Sequence, residues 1–339
     1  MKNFIVAVCL IALSFTATAQ IPHVKFIEKN SGKEREGTVA IAQFQISIPC
    51  EINPTTGLPV VKSDKEHTNK IDRCLDIAAE NHSKIIVFPE LTTAMDKAKR
   101  EKLINSFREF SRKNDAIIIA GTFYDEERRG LCPVVFPDTV CYSYKIRPSV
   151  FESSVYADRG MTGTDTLCIY RTKYGKIAPL VCVDLISDDA NYLIRRLSNH
   201  GEIDLLFSVC YNPASREFLR EASAIVNRHP LFAVIANVAT GPGAENKQKN
   251  DSEYGFSGVL GSLQYAQKSA TIKNIPECLK NCAGKLHDSY ENIISVIEPG
   301  HEAALLYEIN LSVIRVPQNT NAPDQGYPTI KNIEQIPIP

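Results

Sequence analysis

The sequence predicts a layered α/β fold, in which short strands and amphipathic helices alternate along the chain. Runs of β-branched and other apolar residues recur from Thr38 onward, and each run is too short for a stable helix. Between them, apolar residues recur at helical spacing. The composition is that of an ordinary globular protein, with 44% hydrophobic and 23% charged side chains. This alternation is typical of sheets covered by helices.

The order of elements follows from these runs. In the first half, strands are predicted over residues 38–47, 84–88 and 116–120. The helices between them are indicated by two periodic sets, Ile71, Leu75, Ala78 and His82, then Leu103, Phe107 and Phe110. In the second half, strands are predicted over 166–172, 176–185, 203–210, 231–238 and 303–311, with helices over 188–198 and 215–228.

The chain is predicted to form one domain over residues 36–315. No repeat of fixed period, low-complexity tract or Pro/Gly/Ser linker divides it. Residues 20–35 and 316–339 are expected to be tails on either side of this domain. Residues 241–254, which are rich in Gly and charged side chains, are expected to form a mobile surface loop.

The amino terminus resembles a secretory signal peptide over residues 1–19. Lys2 precedes an apolar run from Phe4 to Phe15, and small residues at Ala17 and Ala19 form a cleavage pattern. We therefore expect a secreted or periplasmic protein. The run is too short to cross the ~30 Å hydrocarbon layer, so no membrane association is expected after cleavage. A formal net charge of −1 gives no positive field for nucleic acid, which is excluded as a partner.

Three residues with reactive side chains lie at or near the ends of predicted strands. Glu90 follows a buried run, Lys145 follows an apolar segment, and Cys182 lies within the strand predicted over 176–185. Sites of α/β proteins commonly form where strands end. Taken singly, each residue has an ordinary structural explanation, since such Glu and Lys residues are mostly solvated and buried Cys is usually a small core residue.

Taken together and in this order, these residues and their neighbours resemble the nitrilase superfamily of carbon–nitrogen hydrolases. The resembling segments are 39–44, 88–91, 144–145, 181–184 and 257–261. The resemblance implies an α-β-β-α four-layer sandwich and a hydrolase that needs no cofactor or metal. It also implies Glu90 as general base, Lys145 as the cation beside the oxyanion, and Cys182 as the nucleophile that carries the acyl group.

The chemistry of amide hydrolysis gives independent reasons for these residue types. A thiol is mostly protonated at neutral pH, so a nucleophilic Cys needs a base or a cation nearby. The Lys145 ammonium and the backbone N–H of Val183 are suited to stabilise the oxyanion. Glu152 is suited to pair with Lys145 and restrain it. We also expect Lys145 to lower the pKa of the Cys182 thiol.

The substrate is expected to be a small amide or a carbamoyl compound, and the protein is expected to be a homo-oligomer, commonly a dimer in this superfamily. Three departures from the superfamily pattern, at Val183, at Arg147-Pro148 and in the position of Glu152, bear on the pocket rather than on the triad. Candidate pocket residues are Tyr124, Tyr156, Tyr211, Asn212 and the 241–254 loop.

Other classes of protein remain as alternatives. One is a catalytically inactive binding protein of the same fold, and another is a true nitrilase. A papain-like protease would use His229, His287 or His301, but the local Cys motif is missing and the chain has no Trp. A metal site at Cys278, Cys282 and His287 lacks a clear fourth ligand, so a disulfide or free thiols are favoured there.

The number of cysteines also bears on the nucleophile. Loss of Cys9 with the signal peptide leaves nine of the ten cysteines, so at least one stays unpaired within a monomer. We expect Cys182 to be unpaired. Cys278 with Cys282, and Cys132 with Cys141, are possible disulfide pairs.

Overall fold

The fold is described from a computed structural model. It covers residues 22–29, 37–62, 64–153, 160–241, 254–261, 292–311 and 329–339. The expected signal peptide, Tyr156 and most of the 241–254 loop lie outside these residues, as do Cys278, Cys282 and His287. Within the described residues, no helix has the length and apolar character that a membrane crossing requires.

Two large sheets form the centre of the molecule. The first has the spatial order β1-β10-β11-β12-β13-β14-β15. Its strands are β1 His23–Glu28, β10 Thr166–Thr172, β11 Gly175–Val181, β12 Leu205–Cys210, β13 Phe232–Asn237, β14 Gly258–Leu260 and β15 Ile293–Val296. β11, β12 and β13 run parallel, so their carboxyl ends meet at one edge of the sheet.

The second sheet has the order β17-β16-β2-β5-β6-β8-β7, and β9 pairs with β8. Its strands are β2 Thr38–Gln45, β5 Ile85–Val87, β6 Ile117–Ile119, β7 Phe123–Tyr124, β8 Gly130–Val135, β9 Val140–Tyr144, β16 Ala303–Asn310 and β17 Thr329–Pro337. A separate two-stranded sheet consists of β3 Cys50–Ile52 and β4 Pro59–Val61.

Helices cover the outer face of each large sheet. α1 Asp64–Glu80 and α2 Lys97–Asn114 pack on the second sheet, and α3 Asp188–Asn199 and α4 Ser215–Arg228 pack on the first. The layers therefore run helix, sheet, sheet, helix. This is the α-β-β-α sandwich that the sequence predicts.

The alternation of side chains along β2 shows how the sequence builds these layers. Val39 and Ile41 point into the core shared with the first sheet, whereas Ala42 and Phe44 belong to the core beneath α1 and α2. Successive side chains of a strand point to opposite faces, so a strand buried on both faces needs apolar residues at nearly every position. The central strands β5 and β6 meet this requirement.

Three features differ from the sequence prediction. Each expected tail contains an edge strand, since β1 lies within residues 20–35 and β17 within 316–339. Most side chains of both strands are exposed or half-buried, so their apolar content is too low to mark them as core. The strand predicted over 176–185 ends at Val181, and a short 3₁₀ helix, Cys182–Leu185, follows it.

Candidate active site

The three residues expected to be catalytic lie at the ends of strands from both sheets, and the fold brings them together in its interior. Glu90 lies just beyond β5, Lys145 directly follows β9, and Cys182 directly follows β11. All three side chains are nearly inaccessible to solvent, with relative exposures of 3%, 2% and 5%. Ionisable groups at such depth are found almost only where they are paired.

Lys145 lies between two buried carboxylates. Its Nζ is 2.7 Å from Oε1 of Glu90 and 2.6 Å from Oε2 of Glu152. Burial disfavours the ammonium, but the two carboxylates outweigh burial and raise the pKa of Lys145 well above its usual value. Lys145 is therefore a permanent cation in this site.

Glu152 is held as a carboxylate on the far side of Lys145. It ends the short helix Val150–Glu152, and its Oε2 accepts the backbone N–H of Ser149 at 2.9 Å. The hydroxyl of Tyr124 donates to its other oxygen. Burial alone would raise the pKa of Glu152, yet the charge and hydrogen bond of Lys145 hold it below its usual value. Tyr124, expected as a pocket residue, thus belongs to this ion-pair cluster.

Glu90 is placed to exchange a proton with Cys182. Its Oε2 accepts the backbone N–H of Tyr211 at 2.9 Å, and Cys182 is close enough to influence the pKa of the carboxylate. Burial raises the pKa of Glu90, and Lys145 opposes that rise. A carboxyl group with a raised pKa is suited to act both as base and as acid near neutral pH.

The structure corrects the expectation that Lys145 lowers the pKa of Cys182. A hydrogen bond with the Cys210 thiol, burial and the charge of Glu90 together raise that pKa well above its usual value. Lys145 acts in the opposite direction, but two carboxylates share its charge, so it does not offset the other effects. The resting side chain of Cys182 is therefore a thiol.

The backbone at Cys182 turns sharply out of β11. Its φ is +49°, in the left-handed region that residues other than Gly seldom adopt. Such strain at a single residue is typical of functional sites. The turn makes Cys182 the first residue of the helix Cys182–Leu185, so the N–H of Val183 lies in a first turn, where backbone donors have no intrahelical partner.

Asp184 links the turn at Cys182 to the segment that follows Lys145. Its two carboxylate oxygens accept the backbone N–H groups of Ile146 and Arg147, each at 2.9 Å, and these residues directly follow Lys145. Asp184 is fully buried, and burial raises its pKa to about 7 against the effect of these hydrogen bonds. The Asp184 carboxylate thus holds the turn at Cys182 close to the residues that follow Lys145.

Tyr211 and Tyr254 are the aromatic residues next to the reactive groups. Their rings contact each other edge to face, with centroids 5.9 Å apart. The Cys50 thiol is close enough to the Tyr211 hydroxyl to influence its pKa, and the charge of a Cys182 thiolate would act on Tyr254. Both rings therefore lie near the buried cluster.

Asn212 has a structural role in the loop after β12. Its N–H donates to Oδ1 of Asn237 at 3.0 Å, and its own side chain accepts the N–H of Ala214 at 2.8 Å. Asn237 also donates to the carbonyl of Asn212 and to Ser215. This network fixes the loop that carries the Tyr211 N–H.

Among the residues that the structure describes, neither a papain-like catalytic site nor a metal site is formed. His229 ends α4 and lies at the opposite end of the parallel strands from Cys182, and the ring of His301 lies beside Glu298 on the surface. Among the described residues, no group of three or more His, Cys, Asp or Glu side chains has the arrangement of a metal site.

Cys132 and Cys141 are free thiols in the structure, so the possible disulfide between them is not formed. In the pairing of β8 with β9, Cys132 lies opposite Ser143 and Cys141 lies opposite Val134. The two cysteines are therefore diagonal neighbours, and their Cβ atoms are too far apart for a disulfide bond.

Sequence reasoning missed three contributors to the site. Asp184 is noticeable in sequence only as a residue close to the nucleophile, and its backbone contacts depend on the fold. Gly130 lies beside Lys145, where a Cβ would approach the Lys145 Cβ to 2.9 Å. Cys210 becomes a neighbour of Cys182 through the register of β11 and β12. The position of Cys210 at the end of the strand predicted after that of Cys182 was the sequence feature that could have indicated this proximity.

Comparison with known proteins identifies the fold. No sequence model of a known protein family matches the chain, nor does any curated protein sequence. Solved structures do match. A CN-hydrolase superfamily protein from Xanthomonas campestris is similar over 82% of this chain and 92% of its own, with 14% identity and a TM-score of 0.55. An amidase from Nesterenkonia sp. is similar over 83% and 94%, with 12% identity and a TM-score of 0.53.

A third similar structure is the glutamine-dependent NAD⁺ synthetase from Acinetobacter baumannii, with 14% identity and a TM-score of 0.55. The match covers 85% of this chain, which spans about half the length of the synthetase, 49%. Together these matches show that the chain has the fold of the nitrilase superfamily, as its motifs predict.

Proposed function

We propose that the protein hydrolyses a non-peptide carbon–nitrogen bond, in an amide or carbamoyl compound, through an acyl group carried on Cys182. One observation carries the proposal. The buried Lys145 ammonium lies 2.7 Å from Glu90, and Cys182 is close enough to the same carboxylate for the two groups to shift each other's pKa. A base, a cation and a nucleophile therefore share one enclosed site.

The first step is attack of the Cys182 sulfur on the carbonyl carbon. Because the resting thiol is protonated, Glu90 removes its proton as the carbon–sulfur bond forms. Negative charge then builds on the carbonyl oxygen. The Lys145 ammonium and the N–H of Val183 are the donors suited to stabilise it, and one such donor contributes about 3 kcal/mol or more to lowering the barrier.

Collapse of this intermediate releases the amine. Glu90, now a carboxylic acid, returns its proton to the leaving nitrogen, and the carbon–nitrogen bond breaks. The Glu90 carboxylate then takes a proton from water, whose oxygen attacks the thioester. Release of the carboxylic acid restores the thiol of Cys182. Throughout, Glu152 and its hydrogen bonds from Tyr124 and Ser149 keep Lys145 in place.

The shape of the site supports a small substrate. A nucleophile that is 5% exposed can reach a terminal amide or carbamoyl group more easily than a bond inside a polypeptide chain. The neighbouring rings of Tyr211 and Tyr254 support an apolar or planar group next to the reacting carbonyl. The amidase of similar fold carries the acetamide moiety of fluoroacetamide on its active-site cysteine in one variant, which supports a reactive cysteine and a small amide ligand in this fold.

A screen for ammonia or amine release tests the proposal. Purified protein is incubated with small primary amides, N-carbamoyl amines and nitriles, and Cys182→Ala protein is the blank. Cys74→Ala is the matched control, because Cys74 is also buried but lies on α1, in the core between that helix and the second sheet. We expect turnover with the wild type and Cys74→Ala and none with Cys182→Ala.

The same screen separates the alternatives. A binding protein would release no ammonia from any compound, and its Cys182 would not acquire an acyl group detectable by mass spectrometry. A true nitrilase would turn over nitriles faster than the corresponding amides. Either result would replace the proposal of an amide or carbamoyl hydrolase.

A further inference from the structure

The residue beside the proposed nucleophile is a second cysteine, and strand register places it there. Val181 of β11 pairs with Val209 of β12 in parallel. Cys182 directly follows β11, and Cys210 is the last residue of β12. Neighbouring strands lie about 4.8 Å apart, so the two cysteines follow adjacent backbone positions. A disulfide bond spans Cα atoms about 4.4–6.8 Å apart.

Cys210 is also a side-chain neighbour of Cys182, because it is among the groups that raise the pKa of the Cys182 thiol. Cys210 is held in this position by Ser208, whose Oγ lies 3.3 Å from its sulfur and whose carbonyl accepts from it at 3.7 Å. Both cysteines are free and buried in the structure.

The proposed hydrolysis makes no use of Cys210. Its buried thiol nevertheless stands beside the proposed nucleophile. We infer that Cys182 and Cys210 together form a modification site for small-molecule disulfides, at which the pair is oxidised to a reversible intramolecular disulfide that removes the nucleophile. This inference rests on the proposed function only for its effect on turnover.

The reaction is an exchange in which atoms and electrons balance. Glu90 takes the proton of Cys182, and the Cys182 sulfur attacks one sulfur of the small disulfide. That sulfur–sulfur bond breaks, and one small thiolate leaves and is protonated. The sulfur of Cys210 then loses its proton and attacks the Cys182 sulfur, which displaces the second small thiol. Two protein thiols are oxidised to one disulfide, and the small disulfide is reduced to two thiols.

The site would accept small disulfides and not disulfides of folded proteins, for the same reason that it would accept small amides. The attacking sulfur is buried, and the rings of Tyr211 and Tyr254 lie near it. After the first exchange, Cys210 is the resolving thiol, since it lies at the end of the strand that pairs with β11.

The test uses the full-length purified protein and oxidised glutathione as the probe. The wild type, Cys210→Ala, Cys210→Ser and Cys74→Ala proteins are incubated with it, alkylated and mapped without reduction. In the wild type and Cys74→Ala we expect a cross-linked peptide that joins Cys182 to Cys210, with no glutathione retained on either residue. In both Cys210 variants we expect glutathione retained on Cys182, because no resolving thiol is present.

Dithiothreitol should reverse the cross-link and, where a substrate is known, restore turnover. The inference is overturned if glutathione stays on Cys182 in the wild type as it does in the Cys210 variants, or if Cys182 of the wild type takes up neither modification. Peptide mapping needs no substrate, so this result is independent of whether the proposed hydrolysis is found. Circular dichroism checks that each variant is folded. If a variant is not folded, the peptide map of the wild type alone tests the inference.

Discussion

At the scale of single residues, the buried cluster predicts how turnover depends on each catalytic group. Cys182→Ala removes the nucleophile, Glu90→Gln the proton acceptor, and Lys145→Ala the cation for the oxyanion. Each should lower kcat by about a hundredfold or more, and the double variants should be no worse than the poorer single variant, because the groups act on one step. Steady-state kinetics on a substrate from the screen measures this.

The free energy of unfolding should distinguish Lys145→Ala from the Cys182→Ala variant. Lys145→Ala leaves Glu90 and Glu152 buried without a cation, which costs about 3–5 kcal/mol in the free energy of unfolding. Denaturation in urea should therefore show a lower midpoint for this variant than for Cys182→Ala. Near-complete activity in Lys145→Ala would contradict the proposed role of the ammonium.

Gly130 is predicted to be essential for the position of Lys145. A Cβ at residue 130 would lie 2.9 Å from the Lys145 Cβ and 3.3 Å from the sulfur of Met161. The backbone there is fixed by the N–H of Lys145, which donates to the Gly130 carbonyl at 2.8 Å. Gly130→Ala must therefore displace the lysine, and we expect kcat to fall about tenfold or more, as misplaced catalytic groups commonly cause.

A positioning effect can be recognised by comparing how much the variant changes kcat with how much it changes KM. Displacement of Lys145 weakens stabilisation of the oxyanion, so kcat should fall while KM changes little. Urea denaturation serves as the control for folding. An unchanged kcat in a stably folded Gly130→Ala protein would show that Lys145 tolerates the shift.

At the scale of elements, apolar patterns predict the central strands well and the turns poorly. Helix α4 has the predicted bounds, and β2, β10 and β12 differ from prediction by at most two residues at either end. The predicted strand that contains Cys182 continues too far because Val183 and Leu185 extend the apolar run. The positive φ at Cys182 ends it, and no hydrophobic pattern encodes a backbone angle.

The contact between two elements predicts how pH affects the fold. Asp184, in the helix Cys182–Leu185, has a pKa raised from 3.8 to about 7 by burial. The folded protein therefore binds more protons than the unfolded chain between these values, and this residue's contribution to stability falls as pH rises across that window. Asp184→Asn cannot ionise, so the unfolding free energy of the wild type relative to this variant should decrease from about pH 4 to about pH 7.

Turnover should depend on Asp184 in the opposite direction. Only the carboxylate can accept both N–H groups of Ile146 and Arg147, since protonation or Asn places a donor against one of them. Asp184→Asn should lower kcat and remove the part of the wild-type decline that occurs as pH falls through about 7. Identical pH–rate profiles for the two proteins would contradict this role.

At the scale of the whole molecule, the resemblance implies the layers and the closeness of Glu90, Lys145 and Cys182, but not the contacts that depend on register. The structure brings these three residues together, and their catalytic roles stay a prediction. The Cys182–Cys210 contact requires that β11 and β12 pair in parallel with Val181 opposite Val209. A shift of that register by one residue would separate the thiols, and single-strand patterns do not specify the register between strands.

We propose that the sandwich assembles as a homodimer or a larger homo-oligomer. Tyr192 on α3, an outer helix, is 53% exposed, and Phe151, next to the buried Glu152, is 73% exposed. Burial of such aromatic side chains against an identical copy would be favourable. Light scattering at micromolar concentration should give at least twice the mass of one chain, which is 37.6 kDa at full length. A single-chain mass would contradict the proposal.

The two sheets are joined by a buried amide that the hydrophobic layers do not explain. Gln43 of β2 is fully buried, and its Nε2 donates to the carbonyls of Ile235 and Gly258 in the other sheet. Its Oε1 accepts the hydroxyl of Tyr307 on β16 at 3.2 Å. A buried polar side chain with every group satisfied fixes how one sheet lies on the other.

Replacement of this amide should destabilise the whole sandwich. Gln43→Leu leaves the hydroxyl and the carbonyls without their partner, and we expect the unfolding free energy to fall by about 2–3 kcal/mol. Tyr307→Phe should cost about 1 kcal/mol, because only one hydrogen bond is lost. In the double variant the leucine leaves no hydroxyl unsatisfied, so its loss should be smaller than the sum of the two. Urea denaturation of the four proteins measures this coupling, and strictly additive losses would show that Gln43 and Tyr307 stabilise the fold independently.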